Sequence, residues 1–171
     1  MSQAIVNEHT TAPVKTVWSP LKLRTAFEIA GAATLSLLAG LPVWIALAGW
    51  LSYHTRGSSL RDGAYNLACV VTGLGIGIVA QAAAVKWNPD LGMLAMPAAL
   101  LLAAAGVWLM NVVTGVSNFR SYLIGVAVVF IAGMDTSLDS YLMLTAAVTV
   151  GALAAAVPDL IRQKREPEVE R

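Results

Sequence analysis

Charged side chains are scarce in this chain of 171 residues: Asp, Glu, Lys and Arg together make up 12% of it. Ordinary soluble domains carry about 25%, so a water-facing surface of the usual kind is excluded. Cysteine is almost missing. Cys69 stands alone, which rules out an internal disulfide framework and any multi-cysteine metal site. Histidine occurs only at His9 and His54, without the spacing of a metal-ligand pair. There is no Ser/His/Asp set and no glycine-rich phosphate loop, and nucleophilic or metal chemistry needs groups that converge. The residues point away from an enzyme, and no cofactor or metal is expected. A formal net charge of +1 also excludes nucleic-acid binding driven by overall positive charge. The first 20 residues lack the apolar core and small-residue cleavage site of a signal peptide.

Apolar residues are plentiful instead. They form 57% of the chain, and the mean hydropathy is +0.70. Five apolar stretches stand out, Phe27–Tyr53, Gly63–Val85, Leu91–Val113, Tyr122–Met134 and Leu138–Ile161. A membrane-spanning helix needs about 20 such residues. The first stretch is too long for one upright span and contains Gly40-Leu41-Pro42, where proline kinks or ends a helix. It reads as one long kinked helix or as two elements, so five spans compete with six. Lys and Arg decide, because they accumulate on the cytoplasmic side. Six spans place Lys15, Lys22, Arg24, Arg56, Arg61, Arg120, Arg162, Lys164, Arg165 and Arg171 on one side and Lys86 alone on the other.

The expected fold is therefore all-α, a polytopic membrane helix bundle with elements at 24–40, 42–54, 61–84, 91–113, 119–134 and 138–161. Residues 1–23 read as a flexible cytoplasmic arm, 24–161 as the transmembrane domain and 162–171 as a charged cytoplasmic tail. Both termini are expected in the cytoplasm, with the chain in a bacterial inner membrane. The second and fifth elements are short or interrupted.

A weak internal repeat adds to this. Shifting the chain by 78 positions sets Ser59-Leu60 on Ser137-Leu138, Ala68 on Ala146, Val70 on Val148, Gly73 on Gly151 and Val79 on Val157. The same shift places Trp44 opposite Tyr122. Halves 24–84 and 91–161, with three elements each, would enter the bilayer from opposite sides as an inverted repeat. Transporters built this way hold their site where the interrupted elements of the two halves meet.

The stretch LPVWIALAGWLSYHTRGSSLRDG resembles the front half of the family called domain of unknown function 1097. FRSYLIGVAVVFIAGMD is similar to that family's second short element, although Arg120-Ser121 stands where the family often carries Pro-Gly. The resemblance covers most of residues 30–160 and implies a bacterial inner-membrane protein; it assigns no catalytic residue, because the family's activity is not established.

Ionisable groups inside a span mark ion or proton paths, and no span carries one at its middle. Glu28 follows Arg24 by one helical turn and reads first as an ion pair at a helix start. Asp135 and Asp139 flank the last turn, where Asp139 suits the start of the sixth helix. Glu28, His54 and Asp135 are the candidates for a gate or proton site. Trp50, Tyr53 and His54 share a helix face, which suits an interfacial aromatic belt or, with Trp44 and Tyr122, a constriction. Trp44, Trp50, Tyr53, Asn66, Asn111 and Tyr122 are the candidates for a substrate path, with Thr72, Gln81, Thr114 and Ser121 as further polar groups. Gly73, Gly77 and Gly151 allow close helix packing. A channel or facilitator for a small neutral or weakly polar solute is expected, with the lipid bilayer, that solute and further copies of the chain as partners. A proton-coupled carrier and a non-transporting assembly subunit are the alternatives.

Overall fold

The computed structural model describes residues 20–57, 59–113 and 118–165. They form α1 (Pro20–Leu38), α2 (Val43–Tyr53), α3 (Leu60–Leu91), α4 (Ala95–Val113), α5 (Phe119–Ala132) and α6 (Leu138–Arg165). One turn of 3-10 helix, Gly92–Leu94, separates α3 from α4. There is no strand among the described residues, so the fold is all-helical.

Helix boundaries follow local chemistry. α1 stops at Leu38 because Gly40 takes a φ of +67° and Pro42 cannot donate into the turn before it. Ser36 Oγ donates to the Leu41 carbonyl at 3.0 Å and ties the turn shut. α2 is thus a separate element and not the second half of one kinked helix. Its 11 residues rise about 16 Å, and the 14 residues of α5 about 21 Å. α3 and α6 begin alike. Ser59 Oγ accepts from the Asp62 amide at 3.1 Å, and Ser137 Oγ from the Ser140 amide at 3.2 Å. Each bond satisfies a free donor of the first turn. Ser137 therefore does the capping that the sequence suggests for Asp139, which stands exposed in that turn.

Four boundaries differ by four residues or more from the sequence expectation, among them the start of α4, which falls at Ala95 after the 3-10 turn instead of at residue 91. α3 continues through Pro89 to Leu91 instead of ending near residue 84. Pro89 falls in the last turn, where its missing N–H removes a single bond, and Gly92 at φ +50° makes the stop. α1 begins at Pro20, within the stretch read as an arm, because proline suits a first helical turn. α6 passes Pro158 and runs to Arg165, into the stretch read as a tail. The rest of the arm and tail lies outside the described residues, with His9 and Trp18.

Consecutive helices alternate in direction. Arg24 and Glu28 at the start of α1 bond to residues at the ends of α6 and α2. Asn66 near the start of α3 reaches the Tyr53 carbonyl at the end of α2. Gln81, in the second half of α3, donates to the Met134 carbonyl just past α5. Gly106 of α4 rests on Ile76 of α3, closing a hairpin about Gly92. α2 packs chiefly on α6 and α5 chiefly on α3, while α1 lies on α6 and α4 on α3.

Four glycines make the two main interfaces possible, and they do so in matching pairs. A Cβ on Gly49 would strike the Val148 carbonyl, and one on Gly151 the Ala46 carbonyl. Across the other interface, a Cβ on Gly125 would strike the Val70 carbonyl and one on Gly73 the Tyr122 carbonyl. In α3 and α6 the matching residues lie 78 apart. In α2 and α5 they lie 76 apart, Gly49 with Gly125 and Ala46 with Tyr122.

Polarity is distributed with apolar groups outside and polar groups inside. Glu28, Ser36, Ser52, Asn66, Ser121 and Asp159 are buried, while Phe27, Leu38, Leu101, Trp108 and Ile131 are exposed. Two helical stretches, Leu60–Val112 and Leu138–Ile161, are long and apolar enough to cross a membrane. Of their most apolar 18 residues, only 22% and 44% are buried. An apolar core of Ile45, Val70, Leu74, Val128, Val129, Leu144 and Val148 joins α2, α3, α5 and α6.

Candidate functional site

The ends of α2 and α6 meet the starts of α1, α3 and α5 at one end of the bundle, and two linked polar clusters lie there. The first is ionic. Arg24 and Glu28 are one turn apart on α1, and Arg24 Nε donates to Glu28 Oε1 at 2.7 Å. Arg24 Nη2 also donates to Asp159 Oδ1, at 2.8 Å. One guanidinium thus bridges two carboxylates whose side chains are 3% and 7% exposed. An unpaired ion in such a place costs several kcal/mol, so this bridge is what lets both carboxylates sit inside.

The remaining carboxylate oxygens face the aromatic side chains of α2. Trp50 Nε1 donates to Glu28 Oε2 at 3.1 Å, and Tyr53 Oη to Asp159 Oδ2 at 3.0 Å. His54 Nε2 also lies 3.1 Å from Glu28 Oε2, and donates there when that nitrogen carries the proton. The His54 ring meets those of Trp50 and Tyr53 edge-on, each at 5.3 Å between centroids. The shared helix face of these three residues is what collects them around α1 and α6.

The second cluster is uncharged. Asn66 Nδ2 donates to the Tyr53 carbonyl at 2.9 Å, joining it to the first. Asn118 Nδ2 has Asn66 Oδ1 and Thr55 Oγ1 at 2.6 Å and Ser121 Oγ at 2.8 Å. Two hydrogens face three acceptors, so one acceptor at a time depends on its neighbours. Thr55 Oγ1 and Ser121 Oγ are 2.9 Å apart, and Ser52 Oγ lies 3.4 Å from Ser121 Oγ. Asn66, Ser52 and Ser121 are at most 1% exposed. Over them opens a depression of about 550 Å³ lined by Thr55, Arg56, Asn118, Phe119 and Arg120. Arg56 is already engaged, 3.8 Å from Asp62 Oδ1 and 5.1 Å from the centre of the Tyr65 ring.

Several residues singled out by the sequence gather here: Glu28, Trp50, Tyr53, His54, Asn66 and Ser121. Others do not. Trp44 is half-exposed at the start of α2, whereas Tyr122 is buried near the start of α5 against Cys69, Val107 and Val126. They sit toward opposite ends of the bundle and form no common constriction. Asp135 is exposed beyond α5, far along the chain's axis from Glu28. Asn111 keeps to α4, where its Oδ1 is buried with no hydrogen-bond partner among the described residues. Thr72 bonds within its own helix, and Thr114 lies outside the described residues. Gly73 and Gly77 face α5 and Gly151 faces α2, all within the chain.

Residues 25–163 match the family described as protein of unknown function DUF1097. The chain belongs to the DUF1097 family. No curated protein and no solved structure matches it. The match to DUF1097 takes in Glu28, Asp159 and every residue of the two clusters except Arg24, which precedes it by one position. Asp159, Asn118, Ser52 and Thr55 are members that sequence reasoning missed. The available signal for Asp159 was its place at the end of an otherwise apolar run, opposite a positively charged helix start. Among the described residues no group of three or more His, Cys, Asp or Glu is placed to hold a metal ion.

Proposed function

We propose that this DUF1097 chain is an integral membrane facilitator for a small, neutral, hydrogen-bonding solute. The observation that carries the reading is the hydroxyl and amide cluster of Ser52, Thr55, Asn66, Asn118 and Ser121, buried beneath an open depression. The five side chains of the cluster offer donors and acceptors without a charge, which suits an uncharged polar molecule, while Arg56 and Arg120 stand on the wall of the depression. The exposed apolar surface and the two long apolar stretches support a bilayer around it. On this reading the chain is two inverted copies of three elements, 24–84 and 91–161, with α2 and α5 as the short middle pieces. The matched glycine contacts and the alternating helix directions support that arrangement. The end bearing Arg24, Arg56, Arg61 and Arg120 is then cytoplasmic, with both termini on that side and Lys86 on the other. Assembly into a homo-oligomer belongs to the same reading, and the mass of the detergent-solubilised particle tests it.

Purified protein in liposomes should speed the entry of small polar solutes such as urea or glycerol. Thr55→Val and Ser121→Ala should reduce that rate several-fold at equal protein content. Liposomes that stay tight to every such solute, with the protein folded, would overturn the reading and leave an assembly subunit as the better one.

One observation favours a second reading, a proton-coupled carrier. Glu28 is buried beside His54, and Asp159 joins it through Arg24. A solute flux that follows an imposed pH gradient, and loses that dependence in Glu28→Gln, distinguishes it from passive passage.

A further inference from the structure

The glycine contacts fix which residue of one half corresponds to which of the other, and the correspondence has an uneven consequence. With matching positions 76 apart in the short helices and 78 apart in the long ones, Ser52 corresponds to Val128, Asn66 to Leu144 and Ser121 to Ile45. Ser52, Asn66 and Ser121 meet in the polar cluster. Val128, Leu144 and Ile45 also meet, in the apolar core, and are 3%, 1% and 0% exposed. The same geometric place is thus built from hydrogen-bonding groups at one end and from hydrocarbon at the other.

Each place has an opening beside it. The depression of about 550 Å³ at Thr55 and Asn118 lies over the polar trio. At the other end a depression of about 330 Å³ is lined by Gly75, Ile78, Thr136, Ser137, Leu138 and Tyr141. Ile78 and Tyr141 pack directly on the core that contains the apolar trio. Beside the first opening the polar trio can hold a hydrated or hydrogen-bonding molecule, and beside the second the apolar trio cannot. A narrow hydrocarbon constriction closes a path by excluding water.

We propose that Ile45, Val128 and Leu144 form the gate of the solute path on the side away from Arg24, a dry seal across from the polar binding floor. The inference rests on the facilitator reading. It names the three side chains that oppose passage, and it makes the polar and apolar trios the two faces of one device. Widening or wetting the seal opens the path without touching the floor that selects the solute.

The test gives each gate residue the identity that its counterpart carries. Val128→Ser alone, and Ile45→Ser/Val128→Ser/Leu144→Asn together, are placed in liposomes and followed by stopped-flow light scattering with urea and glycerol. Leu101→Ser, at a position 72% exposed in α4, serves as the control for leak caused by any added hydroxyl. The expected result is at least a tenfold faster rate for the triple variant and a smaller gain for Val128→Ser, with Leu101→Ser at the wild-type rate and sucrose still excluded. Helix content and a single elution peak establish that each variant is folded, and Val128→Ser carries the test if the triple variant is not. Wild-type passage with no gain in the folded variants overturns the gate and leaves the facilitator standing. No passage in wild type or in any folded variant overturns both. Passage in the variants alone supports the gate and marks the wild type as closed in liposomes.

Discussion

The α2–α6 and α5–α3 interfaces share one construction, yet the two ends of the bundle that they join differ completely in chemistry. Backbone meets backbone through Gly49 and Gly151 on one side and through Gly125 and Gly73 on the other. At one end lie a guanidinium, two carboxylates, three aromatic donors and five amide or hydroxyl side chains. At the matching place of the other end lie valine, leucine and isoleucine. The difference teaches that packing geometry is kept by small residues at the crossings and leaves the side chains beyond them free to differ. Close approach and polarity are set by separate residues in this chain.

The largest expected effect breaks the shared construction. Gly151→Val and Gly73→Val each put a branched side chain where a carbonyl stands. Backbone cannot yield as a flexible side chain does, so each should cost about 3 kcal/mol or more and cause loss of the monodisperse, helical protein in detergent. The two should be equally damaging. Tolerance of one and not the other would show that the interfaces are not equivalent.

Next come the groups that make the ends unlike. Arg24→Leu leaves Glu28 and Asp159 buried without their shared partner and should destabilise by about 3–5 kcal/mol, seen as a lower thermal midpoint. Removing the carboxylates as well, in Arg24→Leu/Glu28→Leu/Asp159→Leu/Trp50→Phe/Tyr53→Phe, should return part of that loss, since apolar groups of similar volume need no ion pair and the Trp50 and Tyr53 donors go with their acceptors. A combined variant as unstable as Arg24→Leu would mean that the buried charges are not what Arg24 compensates. Asn66→Leu copies the apolar end onto the polar one. It strips Asn118 and the Tyr53 carbonyl of a partner, and should cost about 1–3 kcal/mol.

How far this was legible in the sequence follows from the same residues. Helix number, order and most boundaries were readable because proline, glycine and serine sit at the turns between long apolar runs. Gly73, Gly151, Val70 and Val148 stood out at one offset because α3 and α6 match without a shift. Gly49 and Gly125 did not, because two more residues separate the starts of α5 and α6 than those of α2 and α3. That slip also put Trp44, and not Ala46, opposite Tyr122. Asp159 was passed over because a carboxylate near the end of a helix reads as solvated unless the arginine that holds it, 135 residues earlier, is known to be adjacent. Long-range pairing of this kind leaves no local pattern in the chain.

The smallest expected effect concerns the two tryptophans of α2. Trp44 and Trp50 lie on one short helix, but Trp50 Nε1 is bonded to Glu28 while Trp44 is 42% exposed. Trp44→Ala should therefore change stability by about 1 kcal/mol or less and leave solute entry into liposomes as it was. Trp50→Phe, which keeps the ring and removes only the donor, should cost more, because Glu28 Oε2 then depends on His54 alone. A flux change in Trp44→Ala at constant protein would place the solute near the start of α2, and the proposed binding floor and gate would have to be reassigned there.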